Sequence, residues 1–441
     1  MKKTSLRDLI GLSFVDTIYK TLTFRDFGIT LIPCLQKRLI KKVRRQQQSR
    51  IDSCRSKDCL TVVFFLQSAS IWKYDNLYRL LKNSENFKPI VVISPYNVHL
   101  MYDRDECKSV MKKALAFAVS QKYDHICSYD FCEDKWLDIK KLYNPDIVFF
   151  SKPYKDTLPA YHIYRFKDRL TLYASYGITC LQLRISTNLP FHNLLWKNLL
   201  ETDFHKRNSE LNSLCKGDNA LVTGCLGTEK LIDPSYVPSY EWKPQDRIKK
   251  RIIWAPHHTV DYLFNFSNFL SYCDYMLDAA DRYKDSLQFV FKPHPILKFK
   301  LINIWGKEKT EKYYARWADG ENTQIEEGYY MDLFLTSDAL IHDCVSFTAE
   351  YLYTCKPVLF MVRNPEIENE FNNFAKHCFN VHYHSTDQKG IEDFISNVVI
   401  AGKDPMAQDR ESFARDYLLP KDGILPSQKI FTFLKSTLNK R

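Results

Sequence analysis

Glycine is scarce, with 12 in 441 residues. That scarcity argues against a collagen-like segment or a glycine-rich linker, and no self-similarity occurs at solenoid or propeller period. No stretch approaches the roughly 20 consecutive apolar residues that a membrane span requires. Lys2 and Lys3 precede an apolar run, Leu9–Val15, but the run is short and stops at Asp16, so it makes a poor signal peptide. Paired metal-type cysteine spacing is missing too. The 13 cysteines are scattered, and the nearest pairs, Cys54 with Cys59 and Cys127 with Cys132, are not CxxC. This predicts a reduced, cytoplasmic protein whose cysteines serve mainly as small buried hydrophobes. No zinc finger or RNA-recognition signature is present, so nucleic acid is not an expected partner.

What is there is a folding chain of more than one core. With 45% hydrophobic and 14% aromatic residues, disorder of the whole is excluded, and the length predicts two domains. The net charge of +11 is concentrated: residues 1–50 hold 12 Lys and Arg against three Asp. Lys37-Arg38-Leu39-Ile40-Lys41-Lys42-Val43-Arg44-Arg45 is the densest part. Leu35, Leu39 and Val43 recur every fourth residue and share one helical face among the bases. Two readings fit: a helix lying on an anionic membrane surface, or a basic helix whose apolar stripe packs on the body.

From residue 51 the pattern alternates. Leu60–Leu66, Pro89–Ile93, Asp146–Phe150 and Ala220–Thr223 read as strands, with helices over Ile71–Leu81 and Cys107–Gln121. Asp233–Lys250, rich in Pro, Tyr and charge, reads as a linker. Beyond it, Ile252–Ala255, Leu287–Phe291, Ala339–Ile341 and Pro357–Met361 are strands, with helices over Leu270–Tyr283, from about Ser346, and after Gly390. The fold class expected is α/β: two doubly wound Rossmann-like domains facing across a cleft, an architecture called GT-B. The predicted division is a basic amphipathic helical extension over 1–50, an acceptor-side domain over 51–235, and a donor-binding domain with terminal helices over 236–441.

Two strand ends carry chemistry. Phe289-Val290-Phe291 runs into Lys292-Pro293-His294-Pro295, where flanking prolines restrict the backbone of His294. Lys292 offers a point charge to a phosphate. His294 can donate a hydrogen bond to a pyrophosphate or protonate a leaving phosphate. The second end is Leu340-Ile341-His342-Asp343-Cys344-Val345-Ser346-Phe347-Thr348-Ala349-Glu350. There Ser346 is a candidate N-cap, Thr348 lies in the first turn, and Asp343 follows the strand directly. Lys292, Asp343, Ser346 and Thr348 are the candidate donor-phosphate residues, and Glu350 is a candidate contact for ribose hydroxyls. Simple capping by Asp343 and Ser346 is compatible with the same pattern. His342 is expected to be a packed histidine.

In order, Val222-Thr223-Gly224, Trp254-Ala255-Pro256, Lys292-Pro293-His294-Pro295, Asp343-Cys344-Val345-Ser346 and Lys356-Pro357-Val358 resemble the CDP-glycerol glycerophosphotransferase family of teichoic-acid and related surface-polymer synthesis. The resemblance is clear over roughly residues 215–365 and weaker over 60–210. It implies a GT-B fold, a CDP-glycerol or related CDP-alditol donor, a glycan or lipid-linked acceptor and a peripheral place on the cytoplasmic membrane face. It implies no cofactor and no obligatory metal ligand set. The family's Lys-x-His motif falls on Lys292 and His294, and its Asp-Tyr-Ser-Ser motif on Asp343 to Ser346. Here Cys344 and Val345 stand where the family has Tyr and the first Ser. The family's N-terminal Trp-His-Gly signature, which supplies a base, is missing as such. His192, in Pro190-Phe191-His192-Asn193, is the candidate base in its place, with His205 behind it. The alternatives are a GT-B glycosyltransferase with a sugar-nucleotide donor, and a non-catalytic membrane- or nucleic-acid-binding protein using the basic arm.

Overall fold

The computed structural model describes residues 33–95, 104–133, 135–154, 157–183, 187–260 and 266–439. They form two compact units. One comprises the described residues up to Gly177, Leu183–Gly227 and the chain from Ile424; the other comprises Ile178–Gln182 and Thr228–Gly423.

The strands of the first unit are β1 (Leu60–Leu66), β2 (Phe87–Ile93), β3 (His125–Cys127), the short antiparallel pair β4 (Tyr129–Asp130) and β5 (Lys135–Trp136), then β6 (Ile147–Phe150), β7 (Leu170–Ala174), β8 (Lys197–Leu200) and β9 (Ala220–Val222). The main sheet is parallel throughout, in the order β3-β2-β1-β6-β7-β8-β9. Its central strands β1, β6 and β7 are apolar at all but Thr61 and Thr171, as befits strands covered by helices on both faces. Phe64 stacks on Phe149 at 4.5 Å between ring centroids, and the opposite face is filled by Val63, Phe65, Val148 and Phe150.

Two helices from the chain ends complete this unit. Helix Pro33–Arg55 buries Gln36, Ile40, Val43, Gln47, Ile51 and Cys54. Arg44 donates to the Leu195 carbonyl at 2.5 Å and the Asn193 carbonyl at 3.2 Å, and Gln47 donates to the Leu194 carbonyl at 2.9 Å. Val43 is thus buried against the body and Leu39 packs partly against the same core, while Leu35 is exposed; the face that docks is Gln36, Ile40, Val43 and Gln47, so the packed-helix reading holds for the part of the stripe from Leu39 on. Lys37, Arg38, Lys41, Lys42 and Arg45 remain exposed on the outer face. The rest of the basic arm, residues 1–32, lies outside the described residues. At the other end, helix Pro426–Leu438 places Ile430, Leu434 and Leu438 in the same core as Leu60 and Phe87. Gly224, at φ +93°, lets the chain pass Pro426, whose Cγ would stand 2.9 Å from any added Cβ.

The second unit has β10 (Lys250–Ala255), β11 (Leu287–Phe291), β12 (Thr323–Ile325), β13 (Ala339–His342), β14 (Val358–Met361) and β15 (Tyr383–Ser385). Its parallel sheet runs β12-β11-β10-β13-β14-β15. This is the 3-2-1-4-5-6 order of a Rossmann sheet, with its switch point between β10 and β13. Trp254 anchors the core, 5.1 Å from Phe291, 5.4 Å from Trp317 and 5.7 Å from Phe269. Lys356 donates to the carbonyls of Phe334, Leu335 and Ser337 and so caps helix Met331–Thr336.

The units divide differently from the sequence expectation. The stretch read as a linker is laid on the second unit: Tyr236 and Ser239 donate to Asp332, and Trp242 donates to Thr336. Its aromatic and hydroxyl side chains have fixed partners, which a free linker would lack. The last helix belongs to the first unit rather than to the donor-side domain, because its apolar face fills that core. The helix expected as a separate extension also belongs there.

Ile40→Ala tests the packing of the N-terminal helix. A buried Ile-to-Ala change costs roughly 2–5 kcal/mol. Chemical denaturation followed by circular dichroism should show a loss of that size, against less than about 0.5 kcal/mol for the exposed Lys41→Ala.

Candidate functional site

In an open parallel sheet, ligands sit beyond the carboxyl ends of the strands, at the switch point. In the second unit those ends are Pro256-His257-His258 after β10, Lys292-Pro293-His294-Pro295 after β11, and Asp343-Cys344 after β13. They are stitched together by backbone. The Lys292 N–H donates to the Trp254 carbonyl at 2.8 Å and the His294 N–H to the Pro256 carbonyl at 3.2 Å.

Asp343 holds the third strand end to the first. Its Oδ1 accepts the His257 N–H at 2.5 Å and its Oδ2 accepts the Asn268 N–H at 2.5 Å. Asn268 in turn donates to the Met361 carbonyl at 2.7 Å. The carboxyl is buried, and burial pushes its pKa up to about 7 against the opposing pull of those two N–H donors. Both oxygens are thus committed to backbone, and a carboxylate repels a phosphate. In this arrangement Asp343 holds the loop after β10 against the end of β13.

Three imidazoles meet beside it. The ring centroids of His257, His258 and His294 are 4.2–5.1 Å apart. One nitrogen from each lies within 4.8 Å of the other two, close enough for the trio to be considered as metal ligands. Burial pushes the His294 ring down to about 3, with His258, Lys292 and Lys300 adding repulsion, and His257 is lowered for the same first reason. His294 is therefore a neutral imidazole at pH 7. Its Nδ1 accepts the Ile296 N–H at 3.2 Å, which leaves Nε2 to carry the proton. Lys292 is buried, with its ammonium 5.6 Å from the Tyr330 ring centroid, and desolvation lowers its pKa.

The second strand end behaves less as expected. Only Phe347–Glu350 is α-helical, and a 3-10 turn, Tyr351–Thr354, follows. Ser346 has helical backbone angles and its side chain makes no cap hydrogen bond. So short a helix carries little dipole, because the dipole is a sum over aligned peptides. Thr348 is fully buried and its hydroxyl donates to the Cys344 carbonyl at 3.3 Å, so it does not face a ligand. Glu350 is also buried and accepts the Tyr330 hydroxyl at 2.6 Å. Tyr330 thereby lies between Lys292 and Glu350, and no sequence signal had marked it. His342 is the packed histidine expected: fully buried, accepting the Cys344 N–H and lowered to about 3 by burial.

In the first unit, His192 is buried between Tyr173 and Phe191. Its Nδ1 accepts the Leu189 N–H at 3.3 Å, and burial lowers it to about 3. Those are the surroundings of a packing residue. His205 is buried as well, with Thr202 Oγ1 2.8 Å from its Nδ1. The switch point of this unit lies between β1 and β6. A small crevice there is lined by Gln67, Ser94, Ser151, Lys152 and His162 among others, at the ends of β1, β2 and β6. Neither His192 nor His205 lines it. A cleft in the second unit lined by Arg316, Asn322 and Thr323 opens at the amino end of β12, the wrong end of the sheet for a ligand.

His257 and His258 follow directly on the β10 strand and Pro256. The rule that singled out Lys292 and His294, an apolar strand stopping in Pro and His, marks them equally.

No protein-family model matches the sequence, and no curated protein matches it. Solved structures do. The wall teichoic acid polymerase TagF, in a crystal soaked with CDPG, superposes with a TM-score of 0.54 at 12% identity, over 96% of this chain and 98% of that one. MnaA of S. aureus, in a co-structure with UDP, gives 0.51 at 15% identity over 87% and 97%. A UDP-N-acetylglucosamine 2-epimerase gives 0.52 at 14% over 86% and 96%. At these identities the likeness is one of fold, and it agrees with the two parallel sheets: the chain has a GT-B type of fold, built from two Rossmann-like units.

Proposed function

We propose that this chain is a transferase that moves glycerol phosphate, or another alditol phosphate, from a CDP-linked donor to a cell-surface glycan or its lipid-linked precursor. The observation that carries the reading is the convergence of Lys292 and His294 with the Asp343-held loop at the switch point of the second Rossmann sheet. The TagF structure with CDPG supports the choice of donor, as does the order of motifs shared with the glycerophosphotransferases.

In the reaction, an acceptor hydroxyl oxygen attacks the β-phosphorus. The new P–O bond forms as the bond to CMP breaks, the acceptor proton goes to a base, and CMP departs. Lys292 and the His294 N–H stabilise the charge that builds on the phosphoryl oxygens. Ser346 and Glu350 are the remaining donor-side candidates, for phosphate and ribose. A sugar-nucleotide glycosyltransferase is the second reading. It is favoured by Cys344 and Val345 at positions where the glycerophosphotransferase motif has hydroxyls. CMP release marks the first reading, and release of a nucleoside diphosphate marks the second.

His294→Ala should lower kcat far more than donor affinity, since its hydrogen bond strengthens as charge develops; Lys292→Ala should weaken both. Initial rates of CMP release beside calorimetric binding of CDP-glycerol separate the two effects. In the free enzyme the His294 pKa lies near 3, below its unfolded value of 6.5. The group therefore protonates only well below pH 5, and kcat/KM should show no His294 limb between pH 5 and 8. A limb near 6.5 that disappears in His294→Gln would contradict the neutral-donor role.

For the acceptor-side base, the crevice residue His162 takes precedence over His192. His162→Gln should reduce turnover by about 10²-fold or more with the melting temperature nearly kept. His192→Gln should lower the melting temperature, while the folded fraction turns over close to normally.

Membrane association would fall to residues 1–32 and the exposed bases of helix Pro33–Arg55. Lys37, Lys41, Lys42 and Arg45 changed together to Glu should reduce sedimentation with vesicles containing phosphatidylglycerol at low salt. Unchanged sedimentation would exclude that helix face from the contact.

A further inference from the structure

His257 and His258 belong to no motif used above, yet they share a single cluster with His294. Two kinds of ligand suit three converging imidazoles: a transition metal, bound by ring lone pairs, or an anion, bound by ring N–H groups. The partners already on the rings decide between them. Nδ1 of His294 accepts the Ile296 N–H at 3.2 Å. That lone pair is used, so the proton of the neutral ring sits on Nε2, which is then a donor and not a metal ligand. Nδ1 of His257 lies 3.0 Å from Thr259 Oγ1, and the same oxygen accepts the Phe266 N–H at 3.3 Å. The Thr259 hydroxyl proton is thus available to Nδ1, which again leaves Nε2–H as the free end. The surrounding charge agrees. Lys292 and Lys300 act on His294, and Lys300 acts on His257. Of the carboxylates, Asp343 spends both oxygens on backbone N–H groups, and Glu326 and Glu327 act on Lys292 but not on the His257 and His294 rings. Positive charge beside imidazole N–H groups disfavours a cation and attracts an anion.

We infer that His257, His258 and His294 form one phosphate-binding centre, in which ring N–H groups converge on the phosphoryl oxygens of a phosphate or diphosphate anion, with Lys292 and Lys300 supplying charge. The inference deepens the proposed function by adding His257 and His258 to the donor site. It does not require the nucleoside or the alditol, so the two can fail separately. The backbone of His257 is fixed by Asp343, and that of His294 by the Pro256 carbonyl. The rings are thereby held in place before the anion arrives, which lowers the cost of ordering them on binding.

Inorganic pyrophosphate and Zn²⁺ are the two probes, each titrated calorimetrically into the full chain at pH 7 after treatment with a chelator. Pyrophosphate should bind the wild type. It should bind His258→Leu at least tenfold more weakly, and His258→Gln, which keeps an N–H donor, at an intermediate level. Lys300→Gln, a change at a half-exposed position, should also weaken binding and serves if His258→Leu does not fold. Equal pyrophosphate affinity in the wild type and all folded variants, or no binding by the wild type, would overturn the inference. So would stoichiometric Zn²⁺ binding that His258→Gln abolishes, together with tetrahedral Co²⁺ absorption bands; that result assigns the cluster to a metal. Pyrophosphate binding without any turnover of CDP-glycerol would leave the centre standing and remove the transferase reading.

Discussion

The buried carboxylate of Asp343 accepts two backbone N–H groups from a different part of the chain, and the candidate site depends on that arrangement. A carboxylate deep in a protein is costly unless hydrogen-bonded. Here the two N–H groups meet that need and in return fix the loop after β10 against the end of β13. Truncating it would leave two buried N–H groups without an acceptor, at about 1–3 kcal/mol each. The loop it fixes carries His257 and His258, and the β11 loop is stitched to that one through the Trp254 and Pro256 carbonyls. Three histidines and a lysine are thus held by backbone bonds that need no ligand.

The sheet beneath explains why these loops meet. β11, β10 and β13 are neighbours, so their carboxyl ends are adjacent by topology. The strand order reverses between β10 and β13, and in doubly wound sheets such a reversal is where the loops part to admit a ligand. The aromatic packing of Trp254, Phe291 and Phe269 keeps the strands in register from below. The same order recurs in the first unit with one strand more. Its corresponding ends are lined by hydroxyl, amide, lysine and histidine groups, a polar set of different composition.

Much of this was legible in the sequence, for a physical reason. β1, β10 and β11 end in apolar runs, Val62–Leu66, Ile252–Ala255 and Phe289–Phe291, stopped by polar or Pro-containing loops, and buried parallel strands have that signature. Lys292 and His294 could be picked out because they stand at such a stop. β3, β12 and β15 have three residues each, too few for a periodic signal. β8 begins with Lys197 and Asn198 and hides its apolar end. The stripe Leu35, Leu39, Val43 was read correctly as a helical face, but periodicity cannot say whether water, lipid or protein covers it. The partners of Arg44 and Gln47 are carbonyls some 150 residues away in sequence, and no local pattern encodes them. Ser346 and Thr348 fit a capping pattern, yet the Ser346 side chain makes no cap hydrogen bond and the Thr348 hydroxyl donates to the Cys344 carbonyl. Asp343 could be placed at its strand end, but its backbone partners, His257 and Asn268, lie some 75 to 86 residues away in sequence and no local pattern encodes them.

The account rests on one location for the diphosphate. A crystal structure of the full chain with CDP tests it directly. The β-phosphate is expected within hydrogen-bonding distance of His294 and Lys292, with His258 facing the same phosphoryl oxygens, beyond the carboxyl ends of β10 and β11. Well-ordered CDP bound with its phosphates elsewhere, and water alone at the three histidines, would contradict it.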